Sequence, residues 1–136
     1  MNPALVDTDV LSEILKRKNA TIVERASEYL KGYQQFAISA ITRYEILRGL
    51  KEKNAKVQLG NFETFCQHSL VFAITDEILD LAADLWVTGR HDGHPTCDAD
   101  LMIAATALVH GHTLVTGNIK HFSWIRDLRI ENWREP

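Results

Sequence analysis

The sequence predicts a three-layer α/β/α fold around a central parallel sheet of four to five strands. Three observations point there. Short apolar runs alternate with longer stretches of helical periodicity, the pattern of successive βαβ units. The runs are continuously apolar rather than alternating, as strands covered on both faces require. The length, 136 residues, suits one domain and allows roughly two-thirds of the unfolded surface to be buried. Residues 1–136 are therefore expected to form a single domain.

The elements follow in order. Ala4-Leu5-Val6 is the first strand, ending at Asp7, and Val10 to Lys16 reads as a short helix. Thr21 to Tyr33 is a longer helix, with Ile22, Ala26, Tyr29 and Leu30 on one stripe. Phe36-Ala37-Ile38-Ser39 is the second strand. The helix after it, Ile41 to Leu50, has its apolar side at Ile46, Leu47 and Leu50. Leu70 to Ile74 is the third strand, and Thr75 is a natural N-cap for a helix through Ile78, Leu81, Ala82 and Leu85. Gly89 to Pro95 reads as a loop. Leu101 to Val109 is apolar nearly all the way round, so that helix belongs between two layers. Gly111 closes it. Thr113 to Thr116 is the fourth strand, and Leu128 to Glu131 a fifth at an edge.

Composition narrows the function classes. Hydrophobic residues make up 46% and charged residues 24%, as in ordinary globular proteins. The two cysteines, Cys66 and Cys97, are too few for a disulfide framework and lack metal-ligand spacing. Reduced cysteines point to a cytoplasmic location. The opening residues have no basic region, and their apolar run is too short for a signal peptide. No stretch is long enough to span a membrane. The net charge of −3 gives no global attraction for nucleic acid, so any phosphate contact must be local or aided by a metal.

Parallel sheets bind ligands beyond the carboxyl ends of their strands. Asp7 and Asp9 follow the first strand there, Thr42 and Glu45 the second, and Thr116 and Asn118 the fourth. Asp98 and Asp100 reach the same end because the buried helix that they open runs antiparallel to the strands. Converging carboxylates repel one another unless a cation sits among them. Oxygen ligands without a His or Cys cluster suit Mg²⁺ or Mn²⁺, and such a site suits phosphodiester hydrolysis. Arg43, Arg48 and Lys51, with Lys53 and Lys56, are the best candidates for a phosphate-binding face.

Val6-Asp7-Thr8-Asp9-Val10-Leu11-Ser12 resembles the opening of a PIN domain, in particular that of the VapC-type toxins. Ile38-Ser39-Ala40-Ile41-Thr42-Arg43-Tyr44-Glu45-Ile46 resembles the family's second motif. Asp98-Ala-Asp100-Leu-Met-Ile-Ala-Ala-Thr-Ala-Leu, followed by His112-Thr-Leu-Val-Thr-Gly-Asn118, is the strongest likeness, and Leu128 to Trp133 resembles the family's ending. The resemblance covers nearly the whole chain in the right order. It implies a metal-dependent endoribonuclease, with Asp7, Glu45 and Asp100 as the acids that hold Mg²⁺ or Mn²⁺. Asp98 or the Asn118 region, with Thr116 nearby, would complete the set. It also implies an RNA substrate, a cognate antitoxin protein and a homodimer. The chain departs from the pattern at Asp9, where Asn is common, at His121, where an acid is common, and at Gly117, where a polar or basic residue is common.

Plainer readings stand beside these. Asp7 could only start its helix, and Asp9 reads as a cap. Thr42-Arg-Tyr-Glu45 has capping-box spacing, and Glu45 could pair with Arg48. Asp98 has the position of an N-cap as much as that of a ligand. Trp86, Trp124 and Trp133 read as packing anchors, and His91 and His94 as loop residues. Two rival functions remain open. Asp7-Thr8-Asp9-Val10 also resembles the DxDx start of haloacid-dehalogenase phosphatases, in which the first Asp is a nucleophile. A non-catalytic PIN-like or receiver-like binding module is the other.

Overall fold

The computed structural model describes residues 2–136. Its elements are β1 (Ala4–Val6), α1 (Thr8–Lys16), α2 (Ala20–Tyr33), β2 (Ala37–Ser39), α3 (Ala40–Glu52), α4 (Lys56–Gln67), β3 (Leu70–Phe72), α5 (Asp76–His91), α6 (Asp98–His110), β4 (Thr113–Val115), α7 (Ile119–Phe122) and β5 (Ile130–Glu131). The five strands lie in the order β3-β2-β1-β4-β5, and every pairing is parallel. The expected α/β/α architecture is therefore present, with the full five strands.

Alternation along β1 divides the core. Ala4 and Val6 face one layer with Val10, Leu11, Ile22, Tyr29 and Phe62, while Leu5 faces the other with Ile103, Ala104 and Ala107. Helix α6 is sandwiched as its composition requires. Ile103, Ala104 and Ala107 meet the sheet, and Leu101 and Ala105 meet α5. Gly111, at φ 66°, ends α6 in the left-handed conformation that glycine adopts without a Cβ clash. The chain's end packs into the first layer: Trp133 is buried, with its ring 5.5 Å from Tyr29 and 6.4 Å from Phe36.

One element goes unread in the sequence and two expectations need correction. Helix α4 carries little apolar periodicity, because Phe62 alone on it is buried while Val57 stands in solvent. Gly89 to His91 are helical rather than loop. Gly89 is needed there for space: a Cβ would come within 2.8 Å of the His94 carbonyl oxygen and 3.0 Å of the Trp124 ring. Finally, Trp86 is not a packing anchor. It is 44% exposed, with the Arg90 guanidinium 4.8 Å over its ring.

The Tyr29 hydroxyl accepts the Ala4 N–H at 2.9 Å in a buried setting, fastening α2 to the first residue of β1. Tyr29→Phe keeps the ring packing and leaves that N–H without a partner. Urea unfolding should show a loss of about 1–3 kcal/mol, and an unchanged midpoint would show that the bond contributes nothing net.

Candidate metal centre

The sheet order reverses at β1. Chain progress runs outward through β2 and β3, then returns to place β4 on β1's other side. Such a switch point opens a crevice beyond the strand ends, and the first residue past each strand lies there: Asp7 after β1, and Thr116 after β4. Asp7 is also the N-cap of α1. Its extended backbone (φ −70°, ψ 159°) turns the carboxylate to accept the Thr8 N–H at 2.7 Å. The Thr116 hydroxyl donates to Asp7 Oδ2 at 2.7 Å and accepts the Asn118 N–H at 3.0 Å. Only 3% of Asp7 is exposed. Burial and, behind it, the charge of Asp9 raise the Asp7 pKa from 3.8 to about 7, against the hydrogen bonds from Thr116 and Thr8.

Glu45 reaches the same place from α3. That helix is capped by Ser39, whose side chain accepts the Ile41 N–H at 3.0 Å. Thr42 is therefore inside the helix, fully buried, and the capping-box reading does not hold. The Thr8 hydroxyl donates to Glu45 Oε1 at 2.7 Å and lies 3.1 Å from the Thr42 hydroxyl. Thr8 thus ties Asp7 to Glu45 through its N–H and its side chain. The Glu45–Arg48 pairing also forms, at 3.7 Å, with Arg48 largely in solvent.

Helix α6 brings the third acid. Asp100 is half-buried, with Oδ2 3.2 Å from His121 Nδ1. Burial pushes the neighbouring Cys97 thiol up, and the charges of Asp100, which it touches, and of Glu45 push the same way. Asp98 is placed differently. Cys97 holds the cap position, and Asp98 is the exposed first residue of α6, bordering a groove with Leu79, Trp86 and Met102. The N-cap reading is therefore not realised for it.

Asp9 is not a cap either, since Asp7 has that role. It accepts the Val10 N–H at 2.9 Å and pairs with Arg134 at 3.4 Å. A DxDx phosphatase would need this carboxyl free as a general acid, and the ion pair removes it from that role. Of the basic candidates, Arg48 and Lys51 continue the exposed side of α3 from Glu45. Arg43, also exposed, interacts with Cys66. The Asn118 side chain makes no hydrogen bond to the acids among the described residues, although its N–H orients Thr116.

Of the residues that sequence reasoning singled out, Asp7, Thr116 and Glu45 are joined through Thr8 and direct hydrogen bonds, whereas Asp100 contacts His121 and Cys97 instead. Sequence reasoning missed the bridging part of Thr8 and the contact of His121 with Asp100. Among the described residues, no three His, Cys, Asp or Glu side chains are close enough to chelate one ion by themselves. The donors around Asp7 and Glu45 are carboxylate and hydroxyl oxygens, with the His121 imidazole and the Cys97 thiol beside Asp100. Such oxygens fit Mg²⁺ or Mn²⁺, since the smaller ion in particular keeps several of its waters when protein-bound.

Comparison with known proteins agrees with this geometry. The PIN domain family matches residues 4–126. Ribonuclease VapC19 of Mycobacterium tuberculosis is 30% identical over 125 residues, covering 92% of this chain and 96% of its own. Ribonuclease VapC1 of Methanocaldococcus jannaschii is 32% identical over 127 residues, covering 93% and 84%. The DNA-bound VapBC structure of Salmonella typhimurium superposes with a TM-score of 0.86 at 27% identity, over 98% of this chain and 99% of that one. With the parallel five-stranded sheet and the acids at its switch point, these matches place the chain in the PIN-domain family.

Proposed function

We propose that the chain is a Mg²⁺- or Mn²⁺-dependent endoribonuclease and the toxin of a toxin–antitoxin pair, acting in the cytoplasm as a single domain. The observation that carries the reading is Asp7: a carboxyl 3% exposed, held by two donors and pressed by a second carboxylate, at the crevice where α/β sheets bind ligands. The names of the relatives, ribonucleases and VapBC complexes, support the RNA substrate and the antitoxin partner.

Asp7, Glu45 and Asp100 would hold the cation. When bound, it supplies an activated water and offsets charge on the phosphate. The chain's own contribution is orientation. Thr116 and the Thr8 N–H fix both Asp7 oxygens, Thr8 fixes one oxygen of Glu45, and His121 borders Asp100. Arg48 and Lys51, both exposed, would meet the RNA backbone. The exposed Leu79, Trp86 and Val87 of α5 offer the apolar face that a homodimer needs. Among the described residues, no helix is long and apolar enough to cross a membrane.

Three outcomes test the reading. Mg²⁺ or Mn²⁺ should raise the melting temperature by mass action, and chelator should stop cleavage of RNA. Cleavage that survives chelator in ribonuclease-free protein would refute the metal mechanism.

Asp100→Asn should leave metal-free stability intact while cleavage falls by orders of magnitude, because it removes one charge from a like-charged group. Exposed Asp98 should matter less, so Asp98→Asn should keep cleavage near wild type at limiting metal. Equal losses from both would place Asp98 among the working acids after all.

The third outcome concerns pH. The folded pKa of Asp7 lies above the unfolded one, so between about pH 4 and 7 the folded state binds more protons. Metal-free stability should therefore fall as pH rises through that window, by up to about 1.4 kcal/mol per pH unit. Asp7→Asn should flatten the slope in chemical-denaturation series. A slope unchanged by that substitution would mean that Asp7 does not titrate there.

A further inference from the structure

We propose that Arg134 is a built-in counter-cation on the Asp9 side of the acidic crevice, so that the site takes one divalent ion, at Asp7, instead of two. The inference rests on the metal-dependent reading above and extends it to the number of ions.

The guanidinium is held firmly. Its Nε and Nη2 donate to Glu13 Oε1 at 3.1 and 2.7 Å, and Nη2 also meets Asp9 Oδ2 at 3.4 Å. It is carried by a tail that is itself fixed. Trp133 is buried beside it, and the Arg134 N–H donates to Asn132 Oδ1 at 3.0 Å. The remaining nitrogen, Nη1, lies against Gly117, the residue after the Thr116 that bonds Asp7. A Cβ on Gly117 would overlap this guanidinium, standing 2.6 Å from Cζ, and would sit 3.2 Å from Asp9 Oδ2. Gly117 has no left-handed backbone to account for it. A side chain at position 117 would therefore displace the guanidinium from this place.

Charge follows from this placement. A pair of divalent ions about 3.5–4 Å apart needs carboxylates on both sides. Asp7 and Asp9 could supply the two sides, because they flank Thr8 at the start of α1 and their charges act on each other. A guanidinium competes for the same oxygens as a metal ion and cannot lose its charge. With Asp9 and Glu13 committed to Arg134, the carboxylates left to the crevice are Asp7, Glu45 and Asp100, enough to neutralise one divalent ion.

Counting Mn²⁺ on metal-free protein tests this, by calorimetry and by the electron paramagnetic resonance of unbound Mn²⁺. Wild type should bind one ion, and Arg134→Lys, which keeps the cation, should also bind one. Arg134→Met should gain a second, weaker site, and adding Asp9→Asn to it should remove that site again. Gly117→Ala, which displaces the guanidinium without altering it, should shift the count in the same direction as Arg134→Met. Circular dichroism of each metal-free variant checks folding, and Gly117→Ala keeps the test decisive if Arg134→Met fails to fold. Two ions in wild type, or one in both Arg134→Met and Gly117→Ala, would overturn the role of Arg134 while leaving the metal reading in place. No ion in wild type would overturn the metal reading itself.

Discussion

The Asp7 carboxyl is almost wholly withdrawn from water, and no basic side chain touches it among the described residues. Burying a charge without a partner is costly, and a carboxyl so placed either keeps its proton or waits for a cation. Much of the surrounding structure answers that cost. The Thr116 hydroxyl and the Thr8 N–H each donate to one of its oxygens. Those bonds favour the charged form and so oppose the burial that favours the neutral one. The result is a group poised near neutrality, where modest electrostatic help is enough to ionise it.

Hydroxyls rather than charges do the fastening in this crevice. Thr8, Thr42 and Thr116 are each a single atom from the backbone, so their positions follow directly from the ends of β1, β2 and β4. Thr8 is bonded to an acid on either side, which makes the spacing of Asp7 and Glu45 a property of α1 and α3 rather than of flexible side chains. The cations of the site lie farther out: Arg48 beside Glu45 in solvent, and Arg134 over Asp9 and Glu13. Among the described residues, no basic side chain reaches Asp7 itself.

Local patterns made much of this legible. Three-residue strands such as Ala4–Val6 are apolar because both faces are covered, and that alone marks Asp7 as the residue at the strand's end. Helix α6 declared its burial through Leu101 to Val109, so an acid at Asp100 had to be at the rim. What remained hidden was set by distant contacts. Whether Asp98 or Asp100 faces the other acids depends on how α6 rotates against α5, and the sequence does not encode that rotation locally. Arg134 reaches Asp9 across 125 positions. Gly89 looks like a helix end but serves a close approach by His94 and Trp124. Helix α4 has too weak an apolar stripe to be read without its partners.

The pairing of β1 with β4 also has a consequence in time. The crevice joins residue 7 to residue 116, and its outer wall is fastened by residues 133 and 134. Ribosomes deliver chains from the amino end, and contacts so distant in sequence form late and slowly. A nascent chain therefore holds Asp7 for most of its synthesis without the strand that completes its surroundings. The surroundings of Asp7 are assembled only once residues 113–116 and then 133–134 have emerged, long after residue 7 itself.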